Sequence, residues 1–133
     1  MISLVAQRGG YADCAIAAVA TMAKVSYERS LAVCSRIDGA SLTTGLSTHA
    51  IRKALKALGH TTHIKRHGAY DKHHATGILH VYKGRRANQT DESHVVVLWG
   101  GRVIDEGTEC WMSLEEYLEA HPYKVGSLIV VDG

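Results

Sequence analysis

Apolar residues run almost without interruption from Cys14 to Ala23, broken only by Thr21. They cover most of a helical wheel, the pattern of a helix buried on nearly all sides, so the sequence predicts a central helix over residues 13–24. A second helix is expected over 26–37, with Tyr27, Leu31, Cys34 and Ile37 on one face, before Asp38-Gly39-Ala40-Ser41 breaks it. A third starts at Ser47 or Thr48, either of which can cap it. Ile51, Leu55 and Leu58 form its buried stripe, Arg52, Lys53 and Lys56 its wet face, and Gly59 its stop.

Beyond Gly59 the period changes from helical to alternating. Strands are expected over 61–66 and 78–82, separated by an irregular polar stretch over 67–76, and a charged surface loop over 83–93 follows. His94-Val95-Val96-Val97-Leu98-Trp99 is a strong strand, and Gly100-Gly101 joins it to another over 102–105 as a hairpin. Ser113-Leu114-Glu115-Glu116 has capping-box spacing and opens a short helix to Ala120. A last strand is expected over 127–131. Helices first and an antiparallel sheet afterwards define an α+β architecture, with the central helix packed on the sheet.

With 133 residues the chain is expected to form one domain with a core of its own. No apolar stretch approaches the length of a membrane span, and the N-terminus lacks the pattern of a signal peptide, so the expected compartment is the cytoplasm. Three cysteines, an odd number, argue against a disulfide framework and for a reducing environment. A net charge of +2 is too mild to imply nucleic acid. Its distribution is uneven, basic over 52–56 and 65–86 and acidic over 105–119, which a mixed solvated surface explains and an acidic partner would also fit.

The chemistry centres on Cys14. A thiol at the start of a helix meets the positive end of the dipole and unpaired backbone N–H groups, both of which favour the thiolate. Gln7 lies upstream, and His94 and Asp105 far downstream. With a two-residue turn at Gly100-Gly101, Trp99 faces Arg102, Leu98 faces Val103, Val97 faces Ile104 and Val96 faces Asp105. His94 and Asp105 then lie on one face as diagonal neighbours. An odd-length turn would swing Asp105 to the other face. A histidine serves as base or imidazolium partner of the thiolate, and a carboxylate sets its tautomer. The Gln7 amide and the Cys14 backbone N–H could hold an oxyanion. Taken singly each residue has a bland role: a cysteine in an Ala-rich helix is ordinarily a small buried hydrophobe. That role suits Cys34, in mid-helix, and Cys110, in a loop beside Trp111.

Gln7 with Asp13-Cys14 before an apolar helix, the strand opening His94-Val95-Val96-Val97-Leu98, and Val103-Ile104-Asp105-Glu106-Gly107 leading to Ser113-Leu114-Glu115-Glu116-Tyr117 resemble the bacteriocin-processing cysteine peptidases. These are papain-like domains that cleave leader peptides after a double glycine, together with their stand-alone relatives. The resemblance implies a papain-like fold, Cys14 as nucleophile, His94 as base, Asp105 as the residue orienting it and Gln7 as oxyanion donor. The chain departs from the family in carrying Ala15-Ile16 where a Gly-Pro or Gly-small pair usually follows the nucleophile, and in a Gln-to-Cys spacing about one residue longer. It carries no transporter, so a free-standing hydrolase is expected rather than leader processing coupled to export.

The expected activity is therefore a cysteine peptidase or amide hydrolase acting through an acyl-enzyme on a peptide or protein, without cofactor or metal. The alternative is an inactive or non-proteolytic papain-like domain that binds or modifies a host protein. His60, His63, His67, His73, His74 and His80 could supply imidazoles to a metal, but no cysteine pair accompanies them, and exposed loop histidines are the ordinary explanation. Lys65-Arg66-His67 and Lys83-Gly84-Arg85-Arg86 could contact phosphates, yet no nucleic-acid module surrounds them. Trp99 and Trp111 are read as core-filling. Oligomeric state leaves no trace in the sequence.

Overall fold

A computed structural model describes residues 13–37, 47–66, 68–71, 74–82, 93–104, 111–121 and 123–132. Three helices come first: α1 (Asp13–Ala23), α2 (Tyr27–Cys34) and α3 (Thr48–Ala57). Strands β1 (Thr62–Lys65), β2 (Gly77–Tyr82), β3 (Ser93–Trp99), β4 (Arg102–Ile104) and β5 (Trp111–Ser113) follow, then α4 (Leu114–Ala120) and β6 (Lys124–Val131). The strands form a six-stranded sheet in the order β1-β6-β2-β3-β4-β5, and every described pairing is antiparallel.

α1 is buried from Ala15 to Ala23, as its apolar wheel requires. Five buried alanines bring its backbone close to its neighbours. Its buried polar side chains find partners nearby: Thr21 Oγ1 donates to the Ala17 carbonyl at 2.9 Å. From α2, the fully buried Ser30 donates to the Ile16 carbonyl at 2.8 Å, which ties the two helices together. α1 ends on Lys24, which adopts the left-handed conformation at φ 59°. The Val25 N–H returns to the Ala20 carbonyl at 3.0 Å, the bond that usually accompanies a glycine at this position.

α2 is shorter than its sequence pattern predicts. Ser26 caps it by accepting from the Arg29 N–H, and after Cys34 the chain continues as a tighter turn, with Ile37 N–H bonded to the Cys34 carbonyl at 3.2 Å. α3 matches the expected start, stripe and stop: Ser47 caps it, Ile51 and Leu55 are buried, and Gly59 closes it at φ 93°. Arg52 leaves the wet face assigned to it and clamps β1, donating to Thr62 Oγ1 and to the Thr62 carbonyl, each at 2.9 Å.

Alternation along the strands sorts the core into two layers. Ile78, Val95, Val97, Ile104 and Ile129 pack under α1, α2 and α3. Leu79, Val81, Val96, Leu98, Val103 and Leu128 face the other way and pack with Leu114 and Tyr117 of α4. The unbroken run Val95-Val96-Val97-Leu98 is what a strand covered on both faces needs.

β6 begins at Lys124, three residues before its expected start. Between the pairs Leu79↔Leu128 and Val81↔Val125 it holds one residue more than β2, a bulge containing Gly126. A glycine there reads as a break in the sequence and is a bulge in the sheet. β5 is not foreseen; it pairs with β4 and passes directly into the α4 cap. The capping box is formed, with Glu116 N–H donating to Ser113 Oγ at 3.1 Å and that hydroxyl lying 3.1 Å from Glu116 Oε1. Ser113→Ala is expected to cost about 1 kcal/mol, read as a lower denaturant midpoint at unchanged m-value.

Candidate active site

α1 packs against β2 and β3, and its N-terminal turn presents Cys14, half-buried, at the rim of the helix-side core. Cys14 is the second residue of the helix, where backbone N–H groups have no intrahelical acceptor. His94 is the second residue of β3 and pairs with Val81. The hairpin has the anticipated register, Trp99↔Arg102, Leu98↔Val103 and Val97↔Ile104, with Gly100 and Gly101 at φ 57° and 83° as a two-residue turn requires. Gln7, Asp105 and Cys110 lie outside the described residues.

The alternation bears on the pair. Val95 and Val97 point to α1, so His94, in step with Val96 and Leu98, belongs to the α4 side of β3. Its ring stacks on Tyr123, with centroids 6.1 Å apart and planes 22° from parallel. Cys14 therefore approaches the sheet from one side and His94 from the other, at the start of β3.

A second imidazole occupies the same end of the sheet. His80 pairs with Val95 and alternates with Leu79 and Val81, which puts it on the helix side. It stacks on Tyr82 at 5.8 Å, and a Cβ on Gly126 would come within 3.0 Å of its Nδ1, so the glycine makes room for the ring. Burial pushes its pKa below the ordinary histidine value. The folded state thus prefers the neutral ring, and the unfolded chain binds more protons as the pH falls below about 6.5. Stability is expected to be full above that pH and to decline on acidification. His80→Leu should flatten this decline in denaturant titrations between about pH 5 and 7.

Cys34 has the bland role expected of it. It is fully buried, its sulfur lies 3.9 Å from Ser30 Oγ, and burial pushes its thiol pKa up. Among the described histidines, His63 Nδ1 lies 2.7 Å from Asp132 Oδ1 and His74 Nδ1 2.7 Å from Asp71 Oδ2. His67 and His73 lie outside the described residues. Among the described residues no group of three or more His, Cys, Asp or Glu is placed to hold a metal ion, and no helix is long and apolar enough to cross a membrane. A shallow pocket of about 230 Å³, lined by Lys65, Tyr70, His74, Thr76, Leu128 and Val130, opens near the start of β2. Neither Cys14 nor His94 lines it.

The order of helices first and an antiparallel sheet afterwards is that of the papain-like α+β fold. The chain shares it with solved peptidase domains. It is similar over 98% of its length to a double glycine motif protease from an AMS/PCAT transporter, solved in complex with the leader peptide; that match covers 91% of the protease at 18% identity and a TM-score of 0.66. It is likewise similar over 98% of its length to the peptidase domain of Streptococcus ComA, a bi-functional ABC transporter involved in a quorum sensing pathway. There the match covers 98% of the domain at 23% identity and a TM-score of 0.64. No family model and no curated protein matches the chain.

Proposed function

We propose that this chain is a single-domain cysteine peptidase or amide hydrolase that acts on a peptide or protein through an acyl-enzyme on Cys14. The observation that carries the reading is the nearly full-length likeness to two peptidase domains, combined with a cysteine in the first turn of the central helix. The leader peptide bound to the first of those proteases supports a peptide as substrate. Among the described residues Cys14 and Cys34 are free thiols, and a cytoplasmic location is part of this proposal.

In this reading the Cys14 thiolate attacks the scissile carbonyl carbon, and the developing oxyanion is held by the Cys14 N–H and the Gln7 amide. The C–N bond breaks as the His94 imidazolium gives its proton to the leaving amine. Water then attacks the thioester, with His94 taking the proton, and the thiol is released. Asp105, which lies outside the described residues, is assigned the role of orienting the His94 imidazole. His94 is the second residue of β3, and this reading requires its imidazole to reach the thiol around that end of the strand.

One observation favours a second reading. Cys14 and His94 belong to opposite faces of the sheet, which suits a papain-like domain that binds or modifies a protein partner without cleaving it. Mass spectrometry of a peptide pool treated with the wild-type chain and with Cys14→Ala separates the two. Cleavage products that disappear with the substitution are expected. An uncut pool, or side-chain modification without cleavage, would overturn peptide hydrolysis.

A further inference from the structure

A ladder of stacked rings runs from the α4-side core to His94. Tyr117 of α4 is fully buried, and Tyr123 lies on it with centroids 6.3 Å apart and planes only 8° from parallel. His94 lies on Tyr123 at 6.1 Å and 22°. His121 tilts against Tyr117 at 4.8 Å and is 6.5 Å from Tyr123. The backbone holds this arrangement from below. His121 N–H bonds to the Tyr117 carbonyl at 2.8 Å and Tyr123 N–H to the His121 carbonyl at 2.7 Å, so the end of α4 and the entry into β6 form one tight turn. One strand row then links the parts laterally: Val125 of β6 pairs with Val81 of β2, which pairs with His94 of β3. Tyr123 is two residues before Val125, on the same face, and leans over the imidazole.

We infer that Tyr123 is a positioning residue for His94: its ring, anchored on Tyr117, fixes where the imidazole sits at the start of β3. The inference rests on His94 being the partner of the Cys14 thiolate. An imidazole held in one place can serve the thiol as its partner, and that partnership is what makes a thiol reactive. A ring already seated on a buried neighbour also loses little freedom when it restrains a histidine.

The test uses the full chain and needs no substrate. The rate of Cys14 alkylation by iodoacetamide at pH 7, followed by mass spectrometry of the Cys14 peptide, reports the thiolate and its imidazolium partner. Tyr123→Leu keeps an apolar side chain without the ring, and Tyr123→Phe keeps the ring without the hydroxyl. The expected result is slowing of roughly three- to tenfold in Tyr123→Leu and a wild-type rate in Tyr123→Phe, with thermal melts confirming that both are folded. Tyr123→Leu labelling at the wild-type rate while His94→Ala labels slowly overturns the role of Tyr123 and leaves the Cys14–His94 pair intact. A wild-type rate in His94→Ala overturns that pair, and the role of Tyr123 with it. If Tyr123→Leu melts early, Tyr123→Phe decides: slowing equal to that of His94→Ala would show that the ring is not what positions the imidazole.

Discussion

Replacing Cys14 by alanine is expected to abolish the proposed peptide cleavage, and replacing it by serine to lower turnover by about 10⁴-fold or more, because the covalent nucleophile of an acyl-transfer site is removed. The contrast with Cys34 makes the prediction specific. Cys14 is half-buried in the first turn of α1, open to a reagent and beside N–H groups that have no intrahelical acceptor. Cys34 is fully buried between α1 and α2, where burial disfavours its thiolate. Iodoacetamide should therefore modify Cys14 in the native chain and spare Cys34. Cys34→Ala should remain active, with a loss of stability of about 1 kcal/mol from a small cavity. Cleavage surviving in Cys14→Ala, or labelling that favours Cys34, would remove Cys14 from the chemistry.

The largest effect on stability is expected at Gly77, the first residue of β2. A Cβ there would collide with the carbonyl oxygen of Ile129, and it would lie 3.0 Å from that carbonyl carbon and 3.1 Å from Leu128 Cδ1. The obstacle is backbone, and β2 is paired on both sides, by β6 and β3, so neither strand can yield without loss of ladder hydrogen bonds. Gly77→Ala should cost about 3 kcal/mol or more and lower the melting temperature by roughly 10 °C. Gly100→Ala is the control. Its Cβ would meet open space, and only the left-handed backbone at φ 57° opposes it, at about 1 kcal/mol. A Gly77→Ala chain that melts with the wild type would show that β2 and β6 are farther apart than this geometry.

Much of the local structure is legible in residue order. The buried wheel of α1, the stripe and glycine stop of α3, the Gly-Gly hairpin and the capping box of α4 are short-range patterns, set by side-chain period and by a few backbone-specific residues. The features that escape such reading depend on distant partners. β5 is three residues long and is a strand only because β4 lies beside it. The first half of β6 hides behind Gly126, whose lack of a side chain matters because the His80 ring occupies that space. Lys24 closes α1 in a conformation that a glycine would announce and a lysine does not.

The site divides along the same line. A cysteine opening an apolar helix and a histidine opening a strand are visible in the sequence, and the hairpin register follows from counting residues across two glycines. Which side of the sheet each group occupies is not local information. It depends on the face of β3 that α1 covers, and that is decided by packing: Val95 and Val97 meet the alanines of α1, while Val96 and Leu98 meet α4. The same packing brings Tyr123, twenty-nine positions from His94 in the sequence, into ring contact with it, and sets His80 on the helix side. By itself the sequence determined the helices, the hairpin and the candidate thiol and imidazole, because those rest on patterns within a few residues. Only the tertiary structure decided which rings and faces surround them, because burial on the two sides of a sheet is chosen by elements far apart in the chain.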